Sequence, residues 1–376
     1  MSRAGRANTE PDRASPALVA TTLVVGAILL LVLLLAAFSG APEPTVPGLP
    51  GAGLFVGWLL PITRLLLDFA AVGAVGCLLF AAYLVPPRDQ DLRRPAQRAL
   101  RAASWCALVW AGLAAVGSLL TLADIAGQSL GEVLTAPGFV DSLVSLDQSR
   151  SLLLVSALAL LVTLSARRVK TTDGPMLVLV LALAALVPPI LTGHAATHRA
   201  HELATVSLVI HVIAVSLWVG GLAALLMFRR RSPGKDAATV SRYSTVALVC
   251  FGLTAASGLL NAVIRLGDGT GLFAELLGGG YGVLILVKLA ARAALAWFGW
   301  WHRRHAIALL AAGRPSAFRR FAGREVVLML ATIAVAVALS RTPTPSGGSS
   351  DVVDPADPGH QHAASTAFTG PPTSGH

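Results

Sequence analysis

Polar and basic clusters divide this chain into long apolar runs. The first run is Ala17 to Phe38, and a Pro/Gly-rich linker follows it to about Pro61. Further runs cover about Ile62–Val85, Ala99–Ala126, Ser151–Leu164, Met176–Thr192, Glu202–Phe228, Thr239–Ile264, Tyr281–Trp301 and Glu325–Leu339. Most are near or above the ~18 residues needed to cross a hydrocarbon layer of ~30 Å. The pattern predicts an all-α fold, a polytopic membrane bundle of about nine transmembrane helices. It divides into a polar segment at 1–16, a membrane region of about four spans at 17–175, a second of about five at 176–340, and a tail at 341–376. That tail is rich in Pro, Gly and Ser and is predicted to be disordered. The first run is expected to be a retained anchor, because it exceeds the ~7–15 residues of a signal-peptide core. Pro188-Pro189 predicts a bend at the end of the fifth span. Gln128 to Arg150, with Glu132, Asp141 and Asp147, reads as an amphipathic connection along the interface.

Composition excludes a soluble domain. Mean hydropathy is +0.71, and charged residues make up 13% of the chain, against about 25% in ordinary globular proteins. The net charge of +10 does not mark a nucleic-acid footprint, because the basic residues are scattered through short connections. The segments 1–16, 86–101, 166–175, 228–242 and 302–324 hold 22 of the 29 Lys and Arg. By the positive-inside rule these segments are cytoplasmic, which predicts an N-in/C-out topology. Cys77, Cys106 and Cys250 lie in apolar runs without CxxC spacing, and so read as small core residues, not a thiolate zinc site or disulfide framework.

Histidine carries the candidate chemistry. His194, His198 and His201 sit between the fifth and sixth spans at i,i+4 and i,i+3 spacing, which puts them on one face of any helical continuation. His211 lies inside the sixth span, where a polar group is costly and raises a functional hypothesis. The predicted topology places all four toward the outer face, together with His360 and His362 of the tail, a candidate capture site. Imidazole is a common transition-metal ligand, so the cluster reads as a metal site. The alternative is solvated loop histidines, with His211 hydrogen-bonded to a neighbouring helix. The face through Ala204, Ser207, His211, Ala214, Trp218 and Gly221 suits a helix pressed against protein. Candidate supporting residues are Trp218, Asp68 (one turn from Arg64), Lys288 and Arg292 in the eighth span, and Asn261. Asn261 ends a polar stripe through Cys250, Thr254 and Ser257, which either lines a path or holds helices together. With four methionines there is no thioether ladder for Cu(I). No phosphate-binding loop, GxSxG or HExxH occurs, so no enzymatic activity and no ATP-driven transport are expected.

Several of these residues carry a family resemblance. Gly193-His194-Ala195, His211, Leu217-Trp218-Val219-Gly220-Gly221-Leu222, Ser241-Arg242-Tyr243-Ser244, Tyr281-Gly282 with Lys288, and Arg324-Glu325 are similar to the copper-resistance D (CopD) family of bacterial copper-transport membrane proteins. The resemblance is best over about residues 176–340. The earlier spans look like the extension of actinobacterial-type members. The resemblance implies copper as the ion handled at the cell membrane, with passage inward from the outer face and His194 and His211 as metal ligands. His198 and His201 rest on spacing alone. Implied partners are the copper ion, an extracytoplasmic copper-binding protein or a cytochrome oxidase assembly factor, and the lipid bilayer, with no nucleic acid. Two other functions fit the same residues: a b-type haem redox protein, and a factor that delivers copper to cytochrome oxidase without transporting it.

Overall fold

The computed structural model describes residues 16–38, 51–85, 94–192, 199–228, 235–265, 326–334 and 337. Among them all regular structure is helical: α1 (Pro16–Phe38), α2 (Gly53–Leu79), α3 (Arg94–Ala126), α4 (Leu130–Thr135), α5 (Phe139–Ser145), α6 (Asp147–Arg168), α7 (Gly174–Ala184), α8 (Pro188–Thr192), α9 (Arg199–Phe228) and α10 (Lys235–Arg265). A π-helical turn, Phe80–Leu84, continues α2. Within the described residues, five helical stretches are long and apolar enough to cross a membrane: Gly53–Leu84, Arg94–Ala126, Asp147–Arg168, Gly174–Thr192 and Glu202–Phe228. The expected eighth span, with Lys288 and Arg292, lies outside the described residues, as does the tail with His360 and His362. Of the ninth, 326–334 is helical.

Small residues determine how the spans pack. Ala99, Ala103, Ala107, Ala111 and Ala114 recur every three or four positions along α3, and all are buried. This stripe lets α2 and α6 approach closely, which is how helices associate where apolar side chains gain nothing by leaving lipid. Hydroxyls reinforce the α3/α6 seam. Ser118 and Ser149 each donate to the other's carbonyl, at 2.9 and 3.1 Å. Ser156 donates to Ala111 O at 2.9 Å and Ser104 to Thr163 O at 3.3 Å. Near the end of α6, Arg167 donates to Ser104 Oγ at 2.8 Å and lies over the Trp105 ring. Large apolar side chains such as Trp105, Leu154, Leu177 and Leu203 point outward, as lipid contact requires.

One boundary differs from the sequence reading. The linker was expected to run to about Pro61, but α2 begins at Gly53 and Pro61 is a buried residue inside it. Val56 and Leu60 pack with Leu120, Leu122, Ala123 and Val133. That burial, with neighbouring helices around the lost backbone bond, outweighs the proline. Pro188-Pro189 does interrupt the fifth span. α7 stops at Ala184, Leu186 N–H and Val187 N–H make tight i→i−3 bonds at 3.2 and 3.1 Å, and α8 restarts at Pro188. The 128–150 connection folds into α4, α5 and the first turn of α6, which begins at Asp147. α4 opens with a capping box: Ser129 N–H and Oγ both donate to Glu132 Oε2 at 2.8 Å, and Glu132 N–H donates back to Ser129 Oγ. These bonds hold the exposed Glu132 carboxyl below its usual range.

Candidate metal site at the α9/α10 seam

α9 carries the anticipated small-residue face. Ser207, Ala214, Trp218 and Gly221 are buried, while Ala204 and His211 are half-buried. The opposing stripe of α10 buries Cys250, Thr254 and Ser257. Two polar contacts join the stripes. Ser207 Oγ donates to Ser257 O at 3.0 Å, and His211 Nδ1 lies 2.9 Å from Ser257 Oγ. Ser257 Oγ donates to Thr254 O at 3.2 Å. With that hydroxyl proton engaged, the consistent tautomer has His211 Nδ1–H donating to Ser257 Oγ. Such a contact fixes the plane of an imidazole. Thr254 Oγ1 is buried with no hydrogen-bond partner among the described residues, so a polar atom without a partner belongs to the same stripe.

Farther along α9, the Leu217–Leu222 motif serves as a packing joint. Trp218 meets Phe251 edge to face at 5.6 Å, and its carbonyl accepts the Tyr243 hydroxyl at 3.0 Å. Gly220 lies against α2 so closely that a Cβ there would overlap Val72 O and come within 2.9 Å of Gly76 Cα. A Cβ on Gly76 would overlap the Gly220 carbonyl group. Gly221 leaves room for Leu79 and Tyr243. Arg242 of α10 donates to Tyr83 O at 2.9 Å and covers the Tyr83 ring. It thereby satisfies a carbonyl in the π-turn that closes α2. The two motifs around Trp218 and Arg242 therefore seat α9 and α10 on α2.

The remaining candidates are distributed as follows. His194 and His198 lie outside the described residues. His201 falls in α9, but its side chain lies outside them, as does that of Asn261 in α10. Asp68 is half-buried on α2, one turn after Arg64. Among the described residues, no group of three or more His, Cys, Asp or Glu converges to hold a metal ion. The contact of His211 with α10 is the hydrogen bond to a neighbouring helix that the sequence offered as its alternative reading, though Ser257 was not named as the partner; the Arg242 contact to Tyr83 was not foreseen. The first had a visible signal, since Ser257 and His211 each sat on a stripe predicted to face protein. The second had none, because a π-turn leaves no mark in the hydropathy pattern.

Comparison with known proteins adds to this picture. Residues 55–204 match the family model described as Copper resistance protein D-like, N-terminal domain, and residues 237–339 match Copper resistance protein D. The chain is similar to the copper transport protein CutJ of Bacillus subtilis, with 36% identity over 102 residues, 26% of this chain and 18% of that protein. It is also similar to an uncharacterized protein of Mycobacterium leprae, with 24% identity over 204 residues, 53% of this chain and 31% of that protein. The chain thus spans less than a third of the length of these curated relatives. No solved structure matches it.

Proposed function

We infer the function from one premise: the chain belongs to the copper resistance protein D family, whose models match residues 55–204 and 237–339. It is a copper-related membrane protein. From that premise we propose that it takes up copper at the outer face of the cell membrane and passes it inward, in support of copper homeostasis or resistance. In this proposal the bundle has about nine spans in N-in/C-out orientation. His211 and His194 are the principal ligands, and His198 and His201 complete the outer cluster. His360 and His362 are a capture site in the tail. Asn261, Asp68, Lys288 and Arg292 support the path, and Trp218 positions α9 beside it. Copper is the cargo, and its immediate source is an extracytoplasmic copper-binding protein.

The observation that carries the proposal is the setting of His211. An imidazole inside an apolar helix is expensive unless it is used, and here it is oriented through Nδ1 by a serine of the adjacent helix. A ring nitrogen held by a neighbouring hydroxyl is the supporting arrangement typical of histidine ligands. The test is cellular copper content in cells expressing wild type or His211→Ala at equal membrane abundance. The proposal expects accumulation to fall to that of cells lacking the protein. Undiminished accumulation at equal abundance contradicts it.

A further inference from the structure

Two thiols not used by the proposed histidine site meet between α2 and α3. Cys77 is buried on α2 and Cys106 half-buried on α3. They lie in the first and second membrane-capable stretches of the described residues. Cys106 Sγ reaches the face of α2 that carries Cys77, and both residues are free thiols. Their meeting depends on Gly73, one turn before Cys77 on the same face of α2. A Cβ at Gly73 would lie 3.2 Å from Cys106 Sγ and 3.7 Å from its Cβ, so the missing side chain is what lets the α3 sulfur approach α2. Cys77 also adjoins Gly76, the residue on which α9 crosses α2. The pair therefore lies beside the close Gly76/Gly220 joint of α2 and α9.

We propose that Cys77 and Cys106 form a two-sulfur site for Cu(I) between α2 and α3, distinct from the histidine cluster. Thiolate sulfur is the ligand type that selects Cu(I), and two sulfurs from adjoining helices supply a two-coordinate geometry. The binding step is an exchange without redox chemistry. Cu⁺ forms one bond to each sulfur as both thiol protons leave to water, because thiolate and not thiol is the metal ligand. The two thiolates exceed the charge of the ion by one, so the ion offsets half of a charge that would be costly in hydrocarbon. The site deepens the copper reading above and rests on it for the identity of the ion, while its ligands are separate from the histidines.

The experiment uses full-length protein in detergent, kept anaerobic and given Cu(I) in competition with a Cu(I) chelator. X-ray absorption reports the ligand atoms. Wild type is expected to hold Cu(I) with sulfur in its first shell. Cys77→Ser and Cys106→Ser should each weaken retention by at least the ~10–100-fold that loss of a mere supporting partner costs, with an unchanged elution profile in gel filtration. Cys250→Ser and His211→Ala should both keep the sulfur-ligated ion. Failure of copper uptake in His211→Ala therefore reads on the histidine reading alone, and loss of sulfur ligation in the Cys77 and Cys106 variants reads on this one alone. The site is overturned by any of three results: no sulfur ligation in wild type, equal sulfur ligation in the Cys77→Ser/Cys106→Ser double variant, or conversion of the pair to a disulfide with no metal retained. If either single serine variant misfolds, Ag(I) binding to intact wild-type protein decides the matter, because it should block thiol alkylation at Cys77 and Cys106 together; unhindered alkylation counts against the site.

Discussion

At the scale of the residue, the account turns on an imidazole and a hydroxyl. His211 is held by Ser257, and Ser257 is itself engaged with Ser207 and Thr254. A hydrogen bond of this kind between membrane helices contributes only ~0.6 kcal/mol on average, so its value lies in orientation more than in stability. Ser257→Ala is accordingly expected to lower copper affinity roughly 10–100-fold while leaving thermal stability nearly unchanged. Copper titration and a melting curve on the same sample check both halves. Much of this was legible in the sequence. An imidazole surrounded by Ala, Ser and Gly at helical spacing announced a protein-facing side chain, and the opposing stripe was visible as well. Which hydroxyl would meet the ring was not legible, because the register between two helices depends on side-chain shapes that a one-dimensional pattern does not encode. Trp218 shows the reverse situation. Its motif marked it as a candidate for the pathway, yet its ring packs on Phe251 and its carbonyl serves Tyr243.

At the scale of the element, backbone proximity decides what is tolerated. Gly76 and Gly220 bring α2 and α9 into main-chain contact, so a methyl group must push two helices apart. Overpacking commonly costs ~1–3 kcal/mol, and Gly76→Ala is expected at or above the top of that range because the obstacle is backbone. Gly112 on α3 has open space where a Cβ would go. Gly112→Ala is therefore expected to be neutral or to stabilise by up to ~1 kcal/mol through helix propensity. Folded yield and melting temperature in detergent compare the two, and equal behaviour contradicts the joint. The capping box of α4 gives a pH dependence. Folding lowers the pKa of Glu132 through its bonds to Ser129, so the cap is fully present at neutral pH and is lost as pH falls through that lowered value. Amide-exchange protection of α4 should fall on acidification, and Ser129→Ala should abolish that response. Turn chemistry of this kind is local, and the Ser-x-x-Glu pattern at 129–132 was there to read. The start of α2 was not, because the packing of Val56 and Leu60 on α3 and α4 overrides a proline that signals a boundary when read alone.

At the scale of the whole molecule, hydropathy and charge placed the chain in a membrane, and every described element is helical. Apolar period and run length survive any arrangement of neighbours, which explains why the five membrane-capable stretches of the described residues were legible while their contacts were not. The asymmetry of Lys and Arg predicts a cytoplasmic 86–101 connection and an extracytoplasmic 193–201 connection. Single cysteines placed at Gln90 and at Ala196 in a cysteine-free background should react with an impermeant thiol reagent only at Ala196 in intact cells. Labelling of Gln90 instead would invert the topology. The most direct test of the central claim is copper entry into sealed vesicles that contain this chain alone. The account predicts uptake by wild-type vesicles above that of empty ones, with His211→Ala vesicles at the empty level. Wild-type vesicles that bind copper but admit none would instead make the protein a copper-delivery factor and contradict transport.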